Sequence, residues 1–513
     1  MGERIDRKDG IDRSIGSFIP IPKSGSLMRI AGRIAIGLLV LALLPGVAAA
    51  HSVATDTVDS PVPFDLVLFG AALTVAITAG WLFWHGEAPG LDRRWWLGSV
   101  SPSTARGIRT VARLAFFALF VGVLFAGLFG RQVRAENPAT LFVWPVWLKG
   151  VALFAIAAGS PWRILAPWRT IYEALVRLEG REIVVLGRYP ERLGAWPALL
   201  GYVLLIGVVE NLTVIPDSPR RTAILVAGGS LLLVFGGLCF GRTWFRNADP
   251  FDVLYRLFGR VAPLAVTRRD DGGYDLALRP PWQGCTTSDA GPAVATFVLA
   301  TVYTVSFDGF SNTRRYQELL FDLRDFLGTG PGTSTLLYVG GLLGFLLAYL
   351  GATSLIAYLG ASGVRDAGDA TGDRGTGVIG GDAGRDGTDG GWIPASIAFA
   401  PTIVPIAAAY EVAHNYPYVA RNLDRLVVEL LDPVVALEPI EPIARLALGT
   451  FWSSQIALIV LGHAVAVVAA HAVALELFDS ERAARRGHLP LVVVMIGYTV
   501  VSLWIVSQPV VGG

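Results

Sequence analysis

Residues 397–415 read IAFAPTIVPIAAAYEVAHN, and this stretch decides the fold class and directs the search for a site. It is about as long as the helix needed to cross the ~30 Å hydrocarbon core of a bilayer. Near its end it carries a carboxylate, Glu411, and an imidazole, His414. Such groups are costly inside a membrane, and they usually pair, face a cavity or serve a function. The stretch therefore predicts a membrane helix that brings two ionisable side chains into the bilayer.

The rest of the chain has the composition of a membrane protein. Its 513 residues are 53% hydrophobic and 16% charged, whereas soluble domains are about 25% charged. An all-α fold follows, a polytopic transmembrane helix bundle of about ten spans. The predicted spans are 63–84, 109–130, 140–161, 195–214, 222–242, 290–311, 335–360, 395–416, 452–474 and 489–510. The net charge of +1 gives no basic excess for nucleic acid; the expected partners are the lipid bilayer and an apolar small molecule.

The N-terminal region has the plan of a secretory signal. Residues 28–50 have a basic start, an apolar centre and an Ala-rich end. With Met28 as the start of translation, residues 1–27 form a dispensable extension. Cleavage after residue 50 would place His51 at the mature N-terminus, where its amine and ring nitrogen suit copper. An uncleaved signal-anchor is the alternative.

The remaining chain divides into three parts. Residues 51–360 hold spans one to seven, and residues 392–513 hold spans eight to ten. Between them, residues 361–391 are rich in Gly and Asp and predict a disordered cytoplasmic linker. Placing both mature termini outside the cytoplasmic membrane leaves 22 arginines in inside loops and ten in outside loops, as the positive-inside rule requires.

Two inside loops carry similar amphipathic segments, APWRTIYEAL (166–175) and DPFDVLYRLF (249–258). Each begins close to a proline, which suits a first helical turn. Both predict short interfacial helices on the cytoplasmic surface. Aromatic belts at the membrane surface account for a nearby group of tryptophans, which comprises Trp144, Trp147, Trp162 and Trp168.

Several ionisable residues fall within the predicted spans. Glu411 and His414 share a helix face, and Glu-x-x-His is a spacing that holds metal inside helical bundles. Carboxylates at the outer ends of other spans and an imidazole near the midplane complete a candidate site for divalent zinc, iron or copper. The candidate metal ligands are Glu411, His414, His463, Asp308, Glu210 and, separately, His51.

Other interpretations of the same residues stay open. Glu411 and His414 could form a structural pair at the membrane edge. Without metal, His414 or His463 could act as a general base that a carboxylate such as Asp308 orients. Lys149, inside span three, could pair with a carboxylate or line a pathway.

The chain resembles a family of prokaryotic polytopic membrane proteins known as fenitrothion hydrolases. The resemblance rests on ordered motifs: NPATLFVWPVW (137–147), YPERLGAWPA (189–198), LYRLFGRVAP (254–263), LRPPW (278–282), VSFDGF (305–310), AHNY (413–416) and GHAVAVVAAHAVAL (462–475). It implies hydrolysis of an apolar organophosphate triester by a membrane enzyme. Asp308, His414 and His463 match motif positions and become the candidate catalytic residues; His471 also matches. The alternative function is a transporter, or a copper- or metal-handling permease, that uses the same ionisable residues.

Overall fold

The computed structural model describes residues 64–85, 93–287, 291–371, 392–431, 435, 437–441, 448–478 and 481–508. This part of the chain is mainly helical, which confirms the all-α prediction. The signal-like segment 28–50 and His51 lie outside the described residues, as do residues 372–391 of the expected linker. Residues 361–371 of that linker continue a helix.

Helices form most of the described part of the chain. In chain order they are α1 (Phe64–His85), α2 (Pro102–Phe129), α3 (Pro138–Ala158), α4 (Trp162–Leu165), α5 (Pro167–Glu179), α6 (Glu191–Glu210), α7 (Pro219–Phe240), α8 (Arg242–Ala248), α9 (Pro250–Phe258), α10 (Pro292–Ser311), α11 (Arg314–Leu327), α12 (Thr333–Thr371), α13 (Trp392–Phe399), α14 (Val404–Leu431), α15 (Leu448–Leu477) and α16 (Glu481–Ser507). A 3₁₀ turn, Ala400–Ile403, joins α13 to α14 into one rod.

Within the described residues, nine of these rods are long and apolar enough to cross a membrane. Helix α1 adds a shorter apolar stretch, Leu68–Trp84. Together they fall at the ten predicted spans, so the polytopic bundle is confirmed.

The α13–α14 rod lies at the centre of the bundle. In its apolar window 78% of residues are buried, against 17% in α2, which is peripheral. Val305 of α10, Tyr410 of α14, Ile459 of α15 and Leu503 of α16 pack in one buried cluster. Helix α14 continues through Pro417 to Leu431 instead of ending at residue 416. Glu411 and His414 therefore lie well inside a rod.

Two spans contain π-helical segments, in which the turns are wider than in an α-helix. Val143–Gly150 lies in α3 and Val203–Glu210 in α6. Pro145 in the first has no N–H to donate, so the regular α pattern is broken there. The hydroxyl of Tyr255 donates to the carbonyl oxygens of residues 147 and 148, at 3.0 and 3.1 Å. Such segments are frequent at functional sites.

Both short amphipathic segments form helices that begin at a proline, α5 at Pro167 and α9 at Pro250. Helix α9 is largely buried, packed against α3, α6, α8 and α14. The four tryptophans assigned to a belt are also buried. Trp147, Trp162 and Trp168 belong to an aromatic cluster, in which the ring centroids of Trp147 and Trp162 lie 5.5 Å apart and those of Trp162 and Trp168 lie 5.4 Å apart. The indole N–H of Trp144 instead donates to the hydroxyl of Thr222.

A small antiparallel sheet, which the sequence analysis did not predict, lies beside the start of α2. Its strands are β1 (Trp95–Val100), β2 (Leu264–Arg268) and β3 (Tyr274–Leu278), in the order β1-β3-β2. The turn between β2 and β3 contains Asp271 and Gly272, the latter at φ +87°. Asp-Gly between alternating residues is a recognised hairpin signal, so the β2–β3 pair was detectable.

Candidate functional site

Four separate spans bring their charged side chains to one buried point. Lys149, on the π-helical segment of α3, is at the centre, with only 7% of its side chain exposed. Its Nζ lies 3.3 Å from Oε1 of Glu210, 3.7 Å from Oδ2 of Asp308 and 3.8 Å from Oε1 of Glu411. These carboxylates come from α6, α10 and α14. Glu210, Asp308 and Glu411 therefore lie together around one ammonium group. We call Lys149 and these three carboxylates the lysine cluster.

His414 joins the lysine cluster at its accessible side. Its Nε2 lies 3.8 Å from Oδ2 of Asp308, which is beyond hydrogen-bond length. The side chain of His414 is 35% exposed and that of Asp308 is 19% exposed, whereas those of Glu210 and Glu411 are each 5% exposed. The site therefore changes from closed at the glutamates to open at the histidine.

The charges within the lysine cluster do not balance. One ammonium faces three carboxylates, so full ionisation would leave a net charge of −2 if His414 is neutral. An uncompensated buried charge costs several kcal/mol, and carboxylates that share a site do not all ionise together. Neutrality requires two protons on the carboxylates and His414. Oε2 of Glu210 is buried and, among the described residues, has no hydrogen-bond partner.

A small cavity adjoins Lys149 and has space for about one water molecule. It is lined by Leu148, Lys149, Tyr202, Ile206, Asn211, Leu254, Phe258, Thr304, Val305, Asp308 and Glu411. Most of the lining is apolar or aromatic, and the polar groups are concentrated around the ammonium. In this conformation the cavity is too small for a phosphotriester.

The predicted metal set is not assembled as a set of ligands. Across the described residues, no group of three or more His, Cys, Asp or Glu side chains has the arrangement that would hold a metal ion. The Lys149 ammonium lies among the carboxylates that were expected to bind one. The physical reason is that a fixed cation already neutralises part of their charge.

His463 and His471 are buried in α15. Nδ1 of His463 lies 2.9 Å from the carbonyl oxygen of Ile459, and its ring packs against Tyr498 at 6.1 Å. His463 is not among the described residues that line the cavity. The two predicted catalytic histidines therefore have different surroundings. His414 lies beside Asp308 at the lysine cluster, whereas His463 contacts the backbone of its own helix and the ring of Tyr498.

Lys149 is not one of the residues predicted above to be catalytic or metal-binding, although the sequence marks it as unusual. Only three lysines occur in the chain, and the other two are Lys8 and Lys23. A single lysine in the middle of an apolar span is costly unless it is paired. An ammonium also differs from a guanidinium because it is a compact charge that loses its proton more readily.

A second buried carboxylate lies just beyond the spans, at Asp249. Its Oδ2 accepts hydrogen bonds from the indole N–H groups of Trp162 and Trp168, at 2.9 and 2.7 Å. Its Oδ1 accepts from the backbone N–H groups that begin α9. Burial raises the pKa of Asp249 to about 7, and nearby Asp252 adds to this; the hydrogen bonds from the two indoles and from the backbone N–H of Asp252 oppose the rise. Asp249 fixes the aromatic cluster that surrounds the π-helical segment of α3.

Comparison of the chain with protein-family models, curated proteins and solved structures gave no match. The resemblance to fenitrothion hydrolases stays a prediction. What the structure establishes is a multi-pass helical membrane protein with a buried lysine cluster.

Proposed function

We propose that this protein is a proton-coupled membrane transporter whose lysine cluster binds and releases protons. The supporting observation is the position of one ammonium among three buried carboxylates on three other spans. Buried ionisable groups inside a membrane mark ion routes and proton relays in pumps and transporters. A cluster that must hold protons to be neutral changes its charge when it exchanges them.

His414 and Asp308 are the entry point for protons in this proposal. They are the accessible members of the site, and an imidazole and a carboxylate can each bind and release a proton. Loss of a proton from this pair makes the accessible side of the site more negative and draws Lys149 towards it. Glu210 and Glu411 then lose part of their compensation and take up a proton. The pairing of Lys149 thus depends on the protonation state of the accessible edge.

The proposal places the moving parts on α3 and α6. Both spans carry a π-helical segment at the charged residue, so the backbone there is less regular than in the neighbouring spans. Transporter folds place broken or irregular helices at the binding site, near the membrane midplane. A change of ion pair at Lys149 would be transmitted to these two spans first.

Proton flux in proteoliposomes tests the proposal. Vesicles that enclose a pH-sensitive dye receive a potassium diffusion potential, and internal pH is followed. We expect flux above that of protein-free vesicles, and a loss of at least tenfold in Asp308→Asn. Glu318→Gln, at an exposed ion pair on α11, is the matched carboxylate control and should retain the flux. Equal flux in protein-free vesicles, wild type and Asp308→Asn would contradict the proposal.

Hydrolysis is the second candidate, and one observation favours it. A histidine beside a carboxylate is the arrangement of an oriented general base, and His414 is exposed enough to meet a ligand. Purified protein in detergent, without a gradient, should then turn over a chromogenic phosphotriester. His414→Gln should reduce turnover by lowering kcat more than it raises KM. Turnover that is absent, or unchanged in His414→Gln, would exclude this reaction for the site.

A further inference from the structure

The three-stranded sheet has one mainly apolar face and one face of mixed composition, on which Trp96 is 71% exposed. Residues paired across an antiparallel ladder lie on the same side of the sheet. The register therefore places on one side Trp95, Gly98 and Val100 of β1, Tyr274, Leu276 and Leu278 of β3, and Leu264, Val266 and Arg268 of β2. The other side carries Trp96, Ser99, Asp275, Ala277, Ala265 and Thr267. We call the first set the apolar sheet face.

The apolar sheet face is partly open in the described structure, and none of its residues is fully buried. Trp95 is 54% exposed, Val266 49% and Leu278 39%. An antiparallel sheet normally packs its apolar face on a core and leaves the polar face to solvent. Here the centre of the bundle lies elsewhere, among α10, α14, α15 and α16. The exposed residues of this face therefore lack a cover from the described part of the chain.

The neighbouring span, α2, exposes apolar residues at the end that adjoins the sheet. Strand β1 ends at Val100, and Ser101 caps α2 directly afterwards. The first four turns of α2 expose Ile108, Val111 and Leu114, as a lipid-facing helix does. Arg109 donates to the hydroxyl of Tyr274 at 3.1 Å, and its guanidinium carbon lies 5.7 Å from that ring. The apolar sheet face thus continues the lipid-facing side of α2.

Charge at the sheet suits an anionic headgroup layer. Arg269 is neutralised by Asp271 and Asp275. Arg268, on the apolar sheet face, is exposed and makes no ion pair with any described residue. Exposed Arg93 and Arg94 precede β1. Aromatic residues next to arginines are typical of protein surfaces in the membrane interface.

We propose that this sheet lies on the membrane surface where α2 enters, with its apolar face at the boundary between headgroups and acyl chains. The arginines around it bind the headgroups of anionic lipids. The sheet then acts as a lateral anchor, one that fixes the depth of α2 and of the loop that leads from α9 into α10. This inference is independent of the proposed transport activity.

Two adjacent positions on β2 give a matched test. Val266→Cys places a thiol on the apolar sheet face, and Thr267→Cys places one on the opposite face; both positions are exposed. The native thiols, Cys239 and Cys285, are buried. Each variant is labelled with an environment-sensitive fluorophore and reconstituted into nanodiscs that contain lipid-attached quencher. Aqueous iodide is the second quencher.

We expect lipid-attached quencher to act at least threefold more strongly at position 266 than at 267, with the reverse order for iodide. Exchanging neutral lipid for phosphatidylglycerol should strengthen lipid quenching at 266, and Arg268→Gln should weaken that gain. Equal quenching at the two positions would overturn the proposal. So would protection of position 266 from both quenchers, because that result would mean that a protein or a second copy of the chain covers the face.

Discussion

Replacing Lys149 with methionine removes the positive charge from the lysine cluster and nearly conserves the side-chain length. Three carboxylates within 3.3–3.8 Å of the ammonium then lose their compensation. Removing one partner of a buried ion pair typically costs about 3–5 kcal/mol. We expect a loss of that size in the free energy of unfolding at neutral pH, measured in detergent by denaturant titration and circular dichroism. The loss should be smaller at acidic pH, where protons neutralise the carboxylates.

A double-mutant cycle separates this cause from simple loss of packing. Glu210→Gln in the Lys149→Met background removes one uncompensated carboxylate and should recover about 0.5–3 kcal/mol, the usual range for contacting residues. Arg314→Gln, at an exposed ion pair with Glu318, is the control and should cost less than about 1 kcal/mol. Strictly additive effects of the two cluster substitutions at neutral pH would refute the ion-pair reasoning.

Three further substitutions test other parts of the structure. Burial raises the pKa of Asp249 from its ordinary value to about 7, so the folded state binds this proton more tightly than the unfolded state does. The contribution of Asp249 to the free energy of unfolding therefore falls as the pH rises from about 4 through 7. Unfolding titrations across that pH range should show a weaker pH dependence for Asp249→Asn than for the wild type. Tyr255→Phe removes the donor to two carbonyl oxygens of a π-helical segment. It should lower the free energy of unfolding by about 1 kcal/mol and reduce proton flux in the vesicle assay. Tyr172→Phe also loses a hydrogen bond from a tyrosine hydroxyl, but it should lower only the free energy of unfolding. Gly207→Ala would place a methyl group against the buried hydroxyl of Tyr338 and should lower the free energy of unfolding by about 1–3 kcal/mol. At Gly228 a methyl group would meet open space, so Gly228→Ala should be neutral or stabilising in the same titration.

The bundle was predictable because membrane spans are determined by local composition. An apolar run of about 20 residues has few alternatives to a helix in lipid, and ten such runs match ten helices. The ends of the helices were predicted less accurately than their positions along the chain. Helix α14 extends to Leu431, beyond the predicted end at residue 416, because its later turns bury residues such as Leu426 against neighbours and no longer need a continuous apolar run.

The sheet and the centre of the site depend on long-range contacts that a single sequence does not encode locally. Strand β1 pairs with β3, about 180 residues further along the chain, and each strand has only five or six residues. Glu210, Asp308 and Glu411 were identified from their position in apolar spans. Their common partner was not, because the orientation of Lys149 depends on a π-helical segment. A carbonyl oxygen of that segment accepts a hydrogen bond from the Tyr255 hydroxyl of α9, a contact between residues far apart in the sequence.

The scarcity of lysine has a practical consequence for labelling. Between residues 28 and 513 Lys149 is the sole primary amine on a side chain, and it is enclosed by the lysine cluster. Acylating reagents attack only an uncharged, accessible amine. Acylation at this position therefore occurs only when the ion pairs separate and the ammonium gives up its proton. The fraction of that single peptide found acylated by mass spectrometry would therefore measure how often Lys149 separates from its carboxylate partners, with no engineered probe.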